Sequence, residues 1–386
     1  MDRLQKRHLF TMIPASLPFD PNLPLSKEMG EHEDALLVPW GSQKTKGYKR
    51  AAGIFDASGR FLPEAICWRY SGEPATEQPE YELDETPENL SGRYLFGGLL
   101  YSHFGHFICE SLGRLWALDY LQQPVDGIVF FPKPSLTWPV KLTRTYLTFF
   151  AAMGYPELKI EAPQKPVRIE HLTIAEQGFG VSEMAAGRPE FREFMRRKLG
   201  QAIAPDGPEK IYISREKLPA KRGSILHEDR LAELLEKQGY VIFHPQEHPI
   251  EVQIARYKAA RKVVSLDASP LHLAAMIVPP ECEVAILNRG PSQNIEDYLR
   301  QFRFFVGVEP LRVDAVTDFW ALKDRKLVKR ETYSLLDFRA VAEALAAAGF
   351  ISSTKDWRQL TEAEVNSEVG RLEGRRQMPL ERHAFA

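Results

Sequence analysis

The stretch KVVSLDASPLHLAAMIVPPECEVAIL, residues 262–287, decides the fold class. Lys262–Leu266 and Glu283–Leu287 are short apolar runs without alternation, the pattern of strands buried on both faces. Between them a turn of small polar residues leads into an apolar helix, Leu271–Ile277, and Pro279 and Pro280 close it. Strand, helix, strand in this compass reads as a parallel βαβ unit. The same alternation extends on both sides. Upstream lie a strand at Lys210–Arg215, a helix at His227–Gln238 stopped by Gly239, a strand at Val241–Phe243 and a helix at Pro249–Ala260. Downstream, Gln293–Phe302 is helical again. The expected architecture is α/β, with a parallel, doubly wound sheet over this half of the chain. Ligands of such sheets sit beyond the carboxyl ends of the strands, and Arg215, Asp267 and Asn288 follow strand ends directly.

The first half is less regular. Residues 1–95 carry recurrent Pro and Gly, with short strand-like pieces at Ala35–Val38 and Glu64–Trp68, and an acidic surface loop over 72–89. Gly127–Phe131 reads as a strand, Trp138–Met153 as a helix stopped by Gly154, and Leu158–Glu161 and Val167–Ala175 as strands. Arg188–Ile203 is an amphipathic helix, and Ala202–Lys210 is the best linker. The expected division is an N-terminal domain over 1–204, a C-terminal Rossmann-like domain over 205–310, and an extension over 311–386. That extension contains an alanine-rich helix at Leu336–Ala348 and a charged end, beyond Thr361, expected to be mobile.

With 386 residues the chain exceeds one ordinary core, and 44% hydrophobic and 26% charged residues suit a globular protein. A net charge of −2 gives no electrostatic reason to expect nucleic acid. The basic clusters Arg196–Lys198 and Lys323–Arg330 sit among acidic residues and read as solvated faces. Cys67, Cys109 and Cys282 show no metal-ligand spacing, which suits a reducing compartment. Pro14 and Pro18 interrupt the first apolar run, and no window approaches the ~20 apolar residues of a membrane span. The expected location is the cytoplasm, with peripheral membrane association left open.

Candidate chemistry begins with YSHFGHFICESLGRLWALDYL, residues 101–121, preceded by Gly97 and Gly98. Its apolar spacing predicts a helix, on which His103, His106, Glu110 and Arg114 fall within roughly 80° of one another. Such a stripe is either an active-site wall or a structural network between domains. His106 followed by Glu110 is a workable general-base pair. A metal reading of His103, His106 and Glu110 lacks a completed ligand set. In the second half Arg215, Lys217, Lys221 and Arg222 share one loop, which suits a diphosphate or is simply a solvated basic loop. In the turn after Leu266, Ser269 can cap the helix or bind an anion, and Asp267 or His272 can bond sugar hydroxyls. There is no GxGxxG after a strand, no P-loop, no GxSxG and no HExxH.

Three segments in this order, GHFICESLGRLW (105–116), KIYISREKLPAKRGSILHED (210–229) and SLDASPLHLA (265–274), resemble the family 61 glycosyltransferases, particularly bacterial members of capsule or surface polysaccharide type. The resemblance covers about Tyr94 to Leu299. It implies two Rossmann-like domains facing a central cleft (GT-B type), a nucleotide-sugar donor such as a UDP-sugar, a glycan acceptor, and inverting transfer without a cofactor or metal. It places His106, Glu110 and Arg114 on the family's H-x-x-x-E-x-x-x-R helix, Arg215 on its Y-x-S-R strand end and Arg222 on the following basic position. Under this reading His106 and Glu110 act on the acceptor. Arg215, Lys221, Arg222, Asp267, Ser269 and His272 hold the donor, with His103 and Arg114 on the acceptor side or structural. The chain departs from the family twice. His227 stands where many members carry Asn, and Leu266–Pro270 stands where many carry P-H-G-A-G. The missing glycines of that loop and Asp267 favour the rival reading, a non-catalytic protein of the same fold that binds carbohydrate or nucleotide.

Overall fold

The computed structural model describes residues 19–41, 49–80, 86–132, 140–291, 294–323 and 331–384, with side chains from 146 onward in the helix that starts at 140. The N-terminal stretch to residue 18, residues 81–85 of the acidic loop, Trp138–Pro139 of the predicted helix and residues 324–330 of the second basic cluster lie outside the described residues.

A six-stranded mixed sheet occupies the first half. Its strands are β1 (Gly30–Val38), β2 (Gly53–Phe55), β3 (Glu88–Leu100), β4 (Gly127–Pro132), β5 (Lys159–Glu161) and β6 (Val167–Ile174), in the order β2–β1–β6–β3–β4–β5. From β6 to β5 the pairs are parallel, and β1 and β2 are antiparallel additions at one edge. The strand expected at Glu64–Trp68 is instead a 3₁₀ turn, Pro63–Ala65, followed by a short strand at Trp68–Tyr70. Pro63 explains the difference, because its fixed φ favours a helical first turn and it has no N–H to give a ladder.

The second half contains β7 (Lys210–Ile213), β8 (Ser224–Ile225), β9 (Val241–Phe243), β10 (Lys262–Leu266), β11 (Glu283–Leu287) and β12 (Leu311–Val313). All but β8 form a five-stranded, wholly parallel sheet in the order β9–β7–β10–β11–β12. Numbered within the sheet this is 2-1-3-4-5, a doubly wound order whose switch point lies between β7 and β10. Alternate residues explain the continuous apolar runs. Ile211, Ile213, Val263 and Ile286 pack into one core, and Tyr212, Val264, Ala285 and Leu287 into another.

The end beyond Thr361, expected to be mobile, carries a helix and a strand. Helix Glu362–Arg376 starts with a capping box in which Thr361 and Glu364 satisfy each other's backbone N–H groups. After it, Leu380–Ala384 joins Val316–Leu322, Tyr333–Leu336 and β8 in a four-stranded sheet. Trp357, Val365 and Leu372 are buried in the second core. The charged residues that suggested mobility form ion pairs on the outer face, such as Arg358–Glu364 and Arg382–Asp318 at 2.9 Å.

One buried cluster crosses the 202–210 segment. It contains Phe107 and Trp116, Phe149 and Phe150, Phe191 and Phe194 from the first half, and Ile213, Ile254, Tyr257, Leu271 and Tyr298 from the second. The two halves therefore share an interior. No helix among the described residues is long and apolar enough to cross a membrane.

Candidate active site

Strand β3 ends in a distortion. Its register with β4 shifts between Phe96 and Gly98, and Gly98 takes φ +95°. A Cβ on Gly97 would lie 2.2 Å from the Phe130 ring, so only glycine lets β3 pass over that aromatic. The chain then enters residues 101–119, and here the predicted continuous α-helix is not found. A single turn at Phe104–His106 passes into π-helical Phe107–Ser111, then 3₁₀ turns at Leu115–Asp119. Phe107, Ile108, Leu112, Leu115 and Trp116 are buried as their spacing required. The backbone departs from α geometry because Gly113 and Arg114 dock on residues 175–179. Gly113 accepts a hydrogen bond from Gly178 N (2.8 Å). A Cβ on Gly113 would lie 2.7 Å from Phe179 O.

Arg114 accordingly leaves the stripe. Its guanidinium is buried, donates to the carbonyls of Ala175 and Ile66, and lies over the Phe96 ring. Among the described residues it makes no ion pair with Glu110; its position is structural. His106 and Glu110 do meet. His106 Nδ1 donates to Glu110 Oε2, the carboxylate is buried, and the imidazole is 42% exposed. In the neutral imidazole this contact places the proton on Nδ1 and the lone pair on Nε2, the form a general base requires. Glu110 Oε1 has no hydrogen-bond partner among the described residues. The His103 ring packs edge-on to that of His106, and Tyr101 packs against its other side. Among the described residues no three His, Cys, Asp or Glu side chains group as metal ligands.

His103 and His106 line a cleft of about 890 Å³ whose other wall is the carboxyl edge of the parallel sheet. Arg215, Lys221 and Arg222 follow β7, Ser269 and His272 follow β10, and all five reach the same cleft. The halves touch closely beside the histidine: a Cβ on Gly105 would lie 2.9 Å from Ser269 Oγ and 3.3 Å from His272 Cδ2. Of the sequence candidates, Asp267 is not on the wall. It is buried beneath it, with Arg289 Nε 3.1 Å from its carboxylate and donating to its carbonyl oxygen at 3.0 Å. The Asp267 carboxylate is thus engaged in a buried ion pair with Arg289, which itself lines the cleft. Ser269 does not cap helix Pro270–Ile277 through its side chain. His272 Nδ1 bonds Gln301 Oε1 at 2.8 Å, and Cys109 Sγ lies 3.3 Å away.

The basic loop rests on a carboxylate that was not singled out from the sequence. Glu228 is buried and accepts from Tyr212 Oη (3.2 Å), Ser214 Oγ (3.1 Å), Arg215 N and Ser224 Oγ. Arg215 donates to the carbonyls of Arg222 (3.1 Å) and Gly223 (3.0 Å), folding the loop back so that Lys221 and Arg222 face the cleft. Lys217 instead pairs with Glu247 at 2.8 Å. His227, just before Glu228, has φ +54°, a left-handed conformation that Asn adopts more easily. This accounts for the Asn of the family pattern, and here His227 Nε2 lies 3.2 Å from Glu364 O.

Arg69, Arg289 and Gln253 also line the cleft and were not singled out from the sequence. Arg289 had one signal, its place beside Asn288 at a strand end. Arg69 and Gln253 had none. The cysteines are buried and free, and burial pushes the Cys67 thiol up to about 11 and Cys109 well above its ordinary value, so neither is a ready nucleophile.

No curated protein matches the chain. The model of the family described as Glycosyltransferase 61 matches residues 104–285, a span that holds His106, Glu110, the basic loop and the β10 turn. Over that segment the chain is similar to the Glycosyltransferase 61 family.

Proposed function

We propose that the protein transfers a sugar from a nucleotide-sugar donor to a glycan acceptor with inversion, in the making of a surface polysaccharide. The observation that carries this is the meeting of two unlike walls in one cleft. One wall holds a histidine backed by a buried carboxylate; the other holds cations at the switch point of a parallel sheet. Inversion needs a base to take the acceptor hydroxyl's proton as the oxygen attacks the anomeric carbon, while the glycosidic C–O bond breaks and the diphosphate leaves with the electron pair. His106 Nε2 is the base, and the imidazolium that forms is stabilised by Glu110. Lys221 and Arg222 neutralise the departing diphosphate, with Arg215 setting their loop. The cations supply the charge stabilisation that a divalent metal would otherwise provide. The two Rossmann-like halves facing this cleft then act as acceptor side and donor side of a GT-B arrangement.

The rival, binding without transfer, is separated by assay. Nucleotide release from a panel of nucleotide sugars, with a mixed glycan acceptor, is expected to exceed background. Binding with no release or transfer under any pairing would favour the rival. The double variant Lys221→Ala/Arg222→Ala should weaken nucleoside diphosphate binding roughly 10–100-fold, because both cations are lost from phosphate oxygens. Unchanged affinity by calorimetry would remove the diphosphate from this loop.

A further inference from the structure

Gln253 lies on helix Ile250–Ala259, after β9, and is buried at one end of the cleft. One terminal atom of its amide contacts two carbonyl oxygens, Pro245 O at 2.9 Å and His248 O at 3.1 Å. Carbonyl oxygens accept only, so that atom is the nitrogen, and both its protons are used. The other atom, Oε1, has no hydrogen bond among the described residues. Gln253 therefore faces the cleft as an acceptor only. Its orientation is imposed by the Pro245–Glu247 turn, which the Lys217–Glu247 ion pair ties to the basic loop.

Strand order gives this acceptor a meaning. Along the sheet edge β9 neighbours β7, and β7 neighbours β10. Gln253 thus stands one strand from Lys221 and Arg222, on the side away from Ser269 and Gly105–His106. Two strand spacings, roughly 10 Å, separate the β9 end from the β10 end. A nucleotide sugar laid across these ends puts its diphosphate at β7 and its sugar beside His106. Its base then falls at β9, against apolar Leu218 and Pro245.

We infer that Gln253 selects the nucleobase, accepting a hydrogen bond from the ring N–H of a lactam base, uracil or guanine. This rests on the diphosphate reading above. Cytosine and adenine offer an amino group beside a bare ring nitrogen, whose lone pair would sit near the same oxygen. An acceptor covered by the bound base and left without a donor discriminates strongly.

The test is calorimetric binding of UDP, GDP, CDP, ADP and inorganic pyrophosphate to the full chain and to Gln253→Met. The wild type should bind UDP or GDP about tenfold or more tighter than CDP and ADP. Methylating the ring nitrogen of the preferred base should abolish that advantage. In Gln253→Met the preference should collapse while pyrophosphate affinity holds, which a merely structural role for Gln253 would not produce. Equal binding of all four nucleotides, indifference to ring methylation, or a preference that survives in Gln253→Met would each overturn the inference. Failure of the diphosphate reading shows separately, as absent pyrophosphate binding; uridine and cytidine, free of phosphate, then decide the role of Gln253.

Discussion

His106→Ala is expected to lower the rate of sugar transfer by roughly 10²–10⁴-fold, the range general-base catalysis contributes. Binding of the nucleotide should stay within about twofold, since His106 reaches the cleft from the wall opposite the cations. The asymmetry is what the geometry demands. The imidazole is partly exposed and makes one hydrogen bond among the described residues, to Glu110, so its removal costs little stability. It takes away the only side chain in the cleft whose basic nitrogen is fixed by a buried carboxylate among the described residues. Glu110→Gln should fall between wild type and His106→Ala, because the amide oxygen can still orient the ring but cannot stabilise the imidazolium. Transfer by His106→Ala at near wild-type rate, measured with the true acceptor, would place the base elsewhere.

Glu228→Ala should have the largest effect on the fold. Its buried carboxylate gathers four donors, from Tyr212, Ser214, Arg215 and Ser224. Deleting a buried, fully engaged charge partner costs about 3–5 kcal/mol. Because those donors anchor both ends of the loop that carries Lys221 and Arg222, nucleotide binding should be lost along with stability. Glu228→Gln keeps the volume and two lone pairs and should recover part of both. The check is chemical denaturation of each variant alongside nucleotide titration; a fully stable Glu228→Ala would refute this account of the loop.

Much of this was legible in the sequence where burial on two faces leaves a mark. Val263, Val264, Ile286 and Leu287 read as parallel strands because both faces of that sheet are covered. Residues 101–121 were legible as buried but not in shape. Apolar spacing reports which side chains go inside, and π and 3₁₀ turns bury nearly the same set as an α-helix. What bends the segment is Arg114 reaching the carbonyls of Ala175 and Ile66, a contact across the fold that no local period encodes. Asp267 shows the same limit: its strand-end position is legible in the sequence, but its partner, Arg289, becomes adjacent only when β11 pairs with β10. The helix of the tail, by contrast, carries a readable start signature in Thr361 and Glu364.

The buried cluster joining Phe107, Phe191, Ile254 and Tyr298 sets how the molecule comes apart. If either half unfolded alone, it would strip apolar cover from the other, so partial unfolding costs nearly as much as complete unfolding. Heating should give one calorimetric peak, its van't Hoff and calorimetric enthalpies in agreement, where chains of this length commonly show several. The cost also falls on motion: swinging the halves apart would open that cluster to water. Under the proposed function, substrate would then enter between two walls that keep their spacing.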